Sequence, residues 1–310
     1  MRGSRRAIPP IWLAALSLLV ACEQSAVPTT APTTTATITA PSSTSPATTT
    51  TTSAPTTTTT DFEPIETDLL VIGDWGSGTL PQGAVAGAMA RYAETEVVEA
   101  ILTTGDNFYS DDAEFLMTPF DWAAEEGVPF WIAWGNHDIE SESRIEAVNE
   151  AFGDPPRWGT YEWGNIDVIV LDSNQVGSEE QISFLADSLE GSSDPTIVVF
   201  HHSALTCANY DDAVSILENW APLFDFDVFL VLSGHDHNYQ RFESEGVTYV
   251  VTGGGGQSLY ELEECSSDHP ERLAGSALHH FVVLDQGPEL TIRAVDVDGA
   301  TFDEVSIAIP

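Results

Sequence analysis

Short apolar segments that alternate with polar or helix-like segments most constrain how this chain can fold. Six of them lie between residues 66 and 235, each five to seven residues long and rich in β-branched or aromatic side chains. They span residues 68–72, 97–103, 128–134, 166–171, 196–200 and 228–232. Apolar runs of this length are typical of strands that are buried on both faces of a sheet. The pattern therefore predicts a layered α/β domain.

Helical signals lie between these segments, and the pattern changes near the C-terminus. Ser178 and Gln181 have the spacing of a capping box, and Leu185 and Leu189 follow at helical spacing. After residue 246 only strand-like runs occur, at 247–252, 278–284, 289–297 and 302–309. We therefore predict that residues 66–310 form one α/β domain with a β-rich C-terminal part.

The first residues have the composition of an export signal, which we assign to residues 1–21. Three arginines precede an apolar run at 11–20 that is too short to span a bilayer comfortably. The segment Leu19-Val20-Ala21-Cys22 resembles the bacterial lipobox, in which the cysteine becomes the lipid-modified N-terminus. The alternative is an ordinary signal with a chance cysteine. We expect lipidation of Cys22, because polar residues begin immediately after it.

Residues 22–65 are dominated by Thr, Ser, Pro and Ala. Such a segment lacks the apolar side chains that would offset the entropy of ordering, so it is predicted to be a disordered tether. The expected protein is therefore exported and lies outside the cytoplasm as a lipoprotein of the cell membrane. The only expected membrane contact is the lipid anchor on Cys22.

The charge balance excludes one class of partner. The chain has nine arginines, no lysine and 49 acidic residues, and its formal net charge is −40 at pH 7. An acidic surface repels polyanions, and nucleic-acid binding needs clustered Lys and Arg side chains. We therefore expect no nucleic-acid partner, and no feature of the sequence indicates a protein partner.

Two cysteines remain in the globular part, Cys207 and Cys265. In an oxidising compartment such a pair predicts a disulfide. The alternative is two unpaired buried thiols.

Clusters of metal-capable side chains follow five of the apolar segments. They are Gly73-Asp74, Gly105-Asp106-Asn107-Phe108-Tyr109, Gly135-Asn136-His137-Asp138, His201-His202 and Gly234-His235-Asp236-His237. In open α/β sheets, ligands bind beyond the carboxyl ends of the strands. A single Gly-Asp turn or a lone His is more often structural, but five of the eight histidines fall in three of these clusters. We therefore predict one shared site.

The ligand types indicate which metals the site would hold. Imidazole, carboxylate, amide oxygen and phenolate are hard or borderline ligands that suit iron, zinc or manganese. Seven candidate ligands are too many for one ion, so two ions that share a carboxylate are the natural arrangement. Two ions about 3.5–4 Å apart stabilise the attacking and leaving oxygens of a displacement at phosphorus.

The order of the five clusters resembles that of the calcineurin-like metallophosphoesterases. Tyr109, three residues after Asp106, resembles the tyrosine ligand of the purple acid (tartrate-resistant) phosphatases within that superfamily. The resemblance implies a four-layer α/β/β/α sandwich with two mixed sheets, and a catalytic domain at residues 66–310. It also implies hydrolysis of phosphomonoesters by a metal-bound hydroxide, with a small phosphorylated substrate.

Two alternatives stay open beside this acid-phosphatase hypothesis. The first is a phosphodiesterase that uses the same centre. The second is a non-catalytic surface lipoprotein that binds metal or phosphate.

The resemblance also implies a role for each candidate residue. Fe(III) would be held by Asp74, Tyr109 and His237, a divalent Fe, Zn or Mn ion by Asn136, His201 and His235, and both by a bridging Asp106. His137 would contact the phosphate and protonate the leaving group, and Asp138 would orient it. His201 and His202 both fit the Val-x-x-His spacing, and the flanking likeness favours His201 as the ligand. His202 would then face the substrate pocket.

Overall fold

Two mixed β-sheets form the centre of the domain. The computed structural model describes residues 67–224 and 227–310, so the expected signal peptide, tether and Cys22 lie outside the described residues. The strands are β1 (Asp68–Ile72), β2 (Val98–Thr103), β3 (Phe130–Trp131), β4 (Gly159–Trp163), β5 (Ile166–Val170), β6 (Thr196–Val199), β7 (Val228–Ser233), β8 (Tyr239–Ser244), β9 (Val247–Thr252), β10 (Arg272–Ser276), β11 (His280–Gln286), β12 (Glu289–Asp296) and β13 (Thr301–Ala308). Within this described part, no helix is long and apolar enough to cross a membrane.

Each sheet combines parallel and antiparallel pairs. The first sheet has the order β13-β12-β11-β1-β2-β3, and the second has the order β10-β8-β9-β7-β6-β5-β4. In the first sheet β1, β2 and β3 are parallel, and β11 pairs antiparallel with β1. In the second sheet β5, β6, β7 and β9 are parallel. The carboxyl ends of the parallel strands are the positions that the sequence motifs occupy.

Helices cover the outer face of each sheet. They are α1 (Leu80–Ala93), α2 (Ala113–Met117), α3 (Asp121–Glu126), α4 (Glu142–Phe152), α5 (Glu179–Gly191) and α6 (Val214–Asn219). Side chains of α1 to α4 pack in one apolar cluster with the first sheet, and those of α5 and α6 pack in another with the second sheet. A third cluster lies between the two sheets.

Strand β1 shows why the sequence forms this arrangement. Successive side chains of a strand point to opposite faces of the sheet. Leu69 and Val71 lie in the cluster between the sheets, whereas Leu70 and Ile72 lie in the cluster that includes α1. Each of these four side chains is buried, so the run is apolar throughout. The predicted four-layer α/β/β/α sandwich with two mixed sheets is confirmed.

Several local predictions differ from the structure. Strand β3 is two residues long instead of the expected seven, and β4, β8 and β10 were not expected. The predicted helix at Ser178 begins as expected, because the Ser178 hydroxyl accepts a hydrogen bond from the Gln181 amide. The Gln181 side chain does not complete a capping box, since its Oε1 accepts a hydrogen bond from the Asp172 amide at 2.6 Å.

Cys207 and Cys265 form a disulfide, with their Cα atoms 5.1 Å apart. The bond joins the loop after β6 to the irregular segment between β9 and β10. The two cysteines are 58 positions apart in sequence, so the bond restricts the conformations of the unfolded chain. On the chain-entropy model this contributes on the order of 4 kcal/mol to stability.

Candidate metal centre

The five clusters meet at one edge of the two sheets. Asp74, Asp106 and Asn136 follow β1, β2 and β3 of the first sheet, while His201 and the His235–His237 segment follow β6 and β7 of the second. Parallel strands of both sheets therefore direct their carboxyl ends to the same place, which is where α/β folds commonly bind ligands.

A first group of ligand atoms surrounds the Tyr109 hydroxyl. The Tyr109 Oη atom lies 3.0 Å from Asp106 Oδ2, 3.2 Å from Asp74 Oδ1 and 3.3 Å from His237 Nε2. His237 Nε2 also lies 3.3 Å from Asp74 Oδ1. Four polar groups thus converge on one point, and Asp74 has no exposed surface.

A second group surrounds the imidazole of His201. Its Nε2 atom lies 3.1 Å from Asn136 Oδ1 and 3.2 Å from His235 Nδ1. The same nitrogen lies 3.4 Å from Asp106 Oδ1. The two carboxylate oxygens of Asp106 therefore face different groups, Oδ2 the first and Oδ1 the second. The structure places His201, and not His202, in this cluster.

Two of the histidines are held by backbone carbonyls. His201 Nδ1 donates to the Thr104 carbonyl at 3.0 Å, and His237 Nδ1 donates to the Ser258 carbonyl at 2.7 Å. With a proton on Nδ1, the Nε2 atom of each ring faces the cluster and is the atom that would bind a metal ion. This is the arrangement that outer hydrogen-bond partners commonly give to metal-binding histidines.

The backbone is strained at three of these positions. Asp74, Asp106 and His235 have φ angles of 56°, 50° and 71°, in the left-handed region that non-glycine residues rarely adopt. Such conformations persist only where the surrounding structure enforces them, and they concentrate at functional sites. Gly135 permits the close approach, because a Cβ atom there would lie 2.1 Å from both the amide nitrogen and Oδ1 of Asp106.

Electrostatic interactions couple the two groups. Burial raises the pKa of the Asp106 carboxyl, but the His201 imidazole and the His137 backbone N–H together outweigh burial, so the pKa lies below its usual range. Burial lowers the pKa of His201, but Asp106, Asp74 and the Thr104 carbonyl together outweigh burial and raise the pKa to about 9. Burial, Asp74 and Asp106 raise the pKa of the Tyr109 phenol well above its ordinary value.

These residues fit a bound metal ion. Asp74, Asp106 and His201 each offer a ligand atom, and these atoms all lie within 4.8 Å of one another. Buried carboxylates are stable only when they are paired or coordinate a metal. The carboxylate, imidazole, amide and phenol groups are donors that suit hard or borderline metals. The donor chemistry therefore agrees with the type of metal expected from the sequence.

His137 lies beside the first group, and its expected partner needs correction. Its ring centroid is 4.6 Å from that of Tyr109, and its backbone N–H donates to Asp106 Oδ1 at 2.8 Å. Its Nδ1 contacts Glu140 Oε2 at 3.2 Å, not Asp138. The two residues lie three positions apart at a short 3₁₀ turn, His137–Ile139, and side chains at that spacing overlap in such a turn.

Asp138 is buried and joins two loops instead of orienting His137. Its carboxylate accepts hydrogen bonds from the backbone N–H groups of Phe108 and Gly135 and from the Asn107 side chain, at 2.8–3.0 Å. Burial and Asp106 raise the pKa of Asp138 to about 7, against the effect of these donors. We expected Asp138 to orient His137. In the structure, Asp138 instead connects the loop that carries Tyr109 to the loop that carries His137.

His202 lies next to the second group. Its ring centroid is 4.6 Å from that of His235 and 5.2 Å from that of His201. The Ser173 hydroxyl accepts from the backbone N–H groups of His201 and His202, which leaves its proton to donate to His202 Nδ1 at 2.8 Å. Burial and His201 lower the pKa of His202 to about 4. A neutral ring beside the second group is compatible with the expected contact with substrate.

Two tyrosines at the site were not expected from the sequence. The Tyr210 ring stacks on His235 with centroids 3.9 Å apart, and the Tyr260 ring stacks on His237 at 4.2 Å. Both lie in irregular loops, so no periodic pattern could have identified them. Glu140 could have been found from its spacing to His137, had the turn been recognised.

The comparison with known proteins gives a consistent result. The calcineurin-like phosphoesterase family model matches residues 67–239. Tartrate-resistant acid phosphatase type 5 of Mus musculus is 26% identical over 291 residues, covering 77% of this chain and 89% of the mouse protein. Purple acid phosphatase 7 of Arabidopsis thaliana is 25% identical over 234 residues, covering 62% and 70%.

A solved structure shares the fold. Purple acid phosphatase PPD1 from yellow lupin (Lupinus luteus) seeds has a TM-score of 0.69 at 18% identity, covering 78% of this chain and 53% of that chain. The family match spans more than half of the chain and contains all five clusters of candidate ligands. The chain belongs to the calcineurin-like phosphoesterase family, has purple acid phosphatases among its relatives, and is a metal-dependent phosphoric ester hydrolase.

Proposed function

We propose that the chain is an acid phosphatase of the purple type, which hydrolyses small phosphomonoesters at a dinuclear centre. Asp74, Tyr109 and His237 would hold Fe(III), and Asn136, His201 and His235 would hold a divalent Fe, Zn or Mn ion. Asp106 would bridge the two. The observation that carries the proposal is the position of the Tyr109 hydroxyl, 3.0 Å from Asp106 and 3.2 Å from Asp74.

The metal ions and the side chains around them would have separate roles in the reaction. Two bound metal ions would supply a nucleophile from water at moderate pH and stabilise charge on the phosphoryl oxygens. His137 would give a proton to the leaving oxygen, since its Nδ1 contacts Glu140 and its Nε2 is left for substrate. His202, held in one tautomer by Ser173, would contact the phosphoryl group from the side of the second metal.

Rates on two substrates test the reaction type. A monoaryl phosphate should be hydrolysed much faster than the corresponding bis-aryl phosphate by the purified protein. Comparable rates on both, or a preference for the diester, would favour a phosphodiesterase on the same centre. Activity on neither substrate with a fully loaded centre would indicate a non-catalytic binding protein.

The Tyr109→Phe variant tests the identity of the first metal. The wild-type protein should contain about two metal ions per chain, at least one of them iron, and should absorb visible light because phenolate donates charge to Fe(III). Tyr109→Phe should lose this absorption and keep much of the activity, since the other ligands remain. Metal analysis and a visible spectrum of both proteins measure this. A colourless wild-type protein that holds only zinc or manganese would contradict the iron assignment. It would not contradict the assignment as a phosphoester hydrolase.

We also propose that the protein acts outside the cytoplasm, held at the membrane by a lipid on Cys22. The Cys207–Cys265 disulfide supports this location, because disulfides persist mainly in oxidising compartments. Mass spectrometry of the N-terminal peptide from cell membranes should show a mature chain that begins at a lipid-modified Cys22. A mature chain that begins elsewhere would contradict the anchor.

A further inference from the structure

The three ligand histidines differ in how their outward nitrogen is held. His201 and His237 donate through Nδ1 to backbone carbonyls. His235 presents its Nδ1 to the cluster, 3.2 Å from His201 Nε2. Across residues 67–224 and 227–310, the Nε2 atom of His235 has no hydrogen-bond partner. A different contact must therefore set the orientation of this ring.

Tyr210 makes that contact. Its ring and the imidazole of His235 are nearly parallel, at 21°, and their centroids are 3.9 Å apart. No other ring contact of His235 is as close in the part of the chain that the structure describes: His202 lies at 4.6 Å and 52°, and His201 at 5.0 Å and 76°. The stacked geometry fixes the plane of the imidazole and hence the direction of Nδ1.

The segment that carries Tyr210 is itself anchored to the neighbour of His235. The backbone N–H groups of Asn209 and Tyr210 donate to Asp236 Oδ1 at 3.0 and 3.3 Å. The Thr206 hydroxyl donates to the other oxygen of the same buried carboxylate. The Cys207–Cys265 disulfide links this segment to the irregular segment between β9 and β10. Tyr210 is therefore presented to His235 by a well-restrained loop.

We propose that Tyr210 is a positioning residue for the second metal site, where its ring replaces the outer hydrogen bond that the other two histidines receive. The inference rests on the proposed function only in requiring that His235 binds a metal ion. A ring that is already aligned loses less rotational freedom when the ion binds. Outer partners of metal-binding histidines commonly change metal affinity by about 10–100-fold.

Tyr260 offers a comparison at the first metal site, although its ring also contacts the Tyr210 ring edge to face, with centroids 5.9 Å apart. Its ring stacks on His237 with centroids 4.2 Å apart and an angle of 11°, so the contact resembles that of Tyr210. His237, however, also donates through Nδ1 to the Ser258 carbonyl at 2.7 Å. Loss of the Tyr260 ring leaves that hydrogen bond in place. The two tyrosines therefore make similar contacts with ligands that depend on them to different extents.

The test compares Tyr210→Ala, Tyr210→Leu, Tyr210→Phe and Tyr260→Ala in the full-length protein. Each protein is loaded with Zn²⁺ and equilibrated against chelators of known zinc affinity, and the metal ions per chain are counted. Tyr210→Ala and Tyr210→Leu should weaken the second site by about 10–100-fold. Tyr210→Phe should keep wild-type affinity because its ring still stacks. Tyr260→Ala should change the affinity of the first site by much less, because the Ser258 carbonyl still holds His237.

The outcomes separate this inference from the proposed function. Wild-type affinity of the second site in both Tyr210→Ala and Tyr210→Leu would overturn it. A loss in Tyr210→Phe as large as in Tyr210→Ala would also overturn it, because the ring would not be the active feature. A wild-type chain that binds fewer than two ions would instead contradict the dinuclear centre. Tyr210 is 40% exposed, so its truncation leaves no buried cavity and the variants should fold.

Discussion

Replacing Asp106 with alanine is expected to remove both metal ions from the centre together. Its two carboxylate oxygens face different ligand groups, Oδ2 towards Tyr109 and Oδ1 towards His201. In the described part of the site, no other side chain contacts side-chain ligand atoms of both groups through separate oxygens, since Asp74 reaches the second group only at the His235 backbone N–H. Turnover should fall by more than about 10⁴-fold, because metal ions contribute several kcal/mol of charge stabilisation to the reaction.

Asp74→Ala is the matched comparison for this prediction. The Asp74 side chain contacts Tyr109 and His237 of the first group, and it meets the second group only through the backbone N–H of His235. This variant should therefore lose the first ion and retain part of the second. Mass spectrometry of both variants and of Asp106→Asn measures how many metal ions each protein holds. Circular dichroism of the same proteins checks that they are folded. Equal metal retention in Asp106→Ala and Asp74→Ala would contradict the bridging role.

The layers of the fold were predictable because their strands are buried on both faces. The β1 run needs apolar side chains at every position, and such a run is visible in sequence without knowledge of its neighbours. Strand β8 gives no such signal. Its Gln240 is fully buried, yet it is polar because its side chain bonds Thr206, Asn238 and the Cys207 amide. A polar residue satisfied by distant partners has the appearance of a loop residue in sequence.

The positions of the candidate ligands were predictable for a related reason. A residue that closely follows a buried parallel strand has its position fixed by the sheet, so the sequence alone places Asp74, Asp106 and His201 at the carboxyl ends of their strands. The position of a residue on a long loop is not fixed by a neighbouring strand in this way. Tyr210 reaches His235 because its loop bonds Asp236, and that path depends on tertiary contacts. The misassigned Asp138 followed from adjacency to His137, although adjacent residues in a helical turn point in different directions.

His137→Ala is expected to keep its metal ions and lose about 10²–10⁴-fold in turnover, the usual contribution of a positioned acid or base. Retention of the metals follows from geometry. The His137 side chain is not among the converging ligand atoms, and the hydrogen bond to Asp106 comes from its backbone N–H, which the variant keeps. The His137 side chain is 39% exposed, so its ring can be reached by substrate.

The dependence on leaving group decides whether His137 acts as an acid. Proton donation matters for a poor leaving group such as an alkoxide, whereas a highly activated aryl oxide leaves without a proton. The loss in His137→Ala should therefore shrink along a series of phosphomonoesters with increasingly acidic leaving groups. Glu140→Gln should show the same trend at smaller amplitude, because it weakens the contact with His137 Nδ1 and leaves the ring in place. A loss of constant size across the series would show that His137 only binds the phosphoryl group, and it would leave the leaving-group proton to come from water.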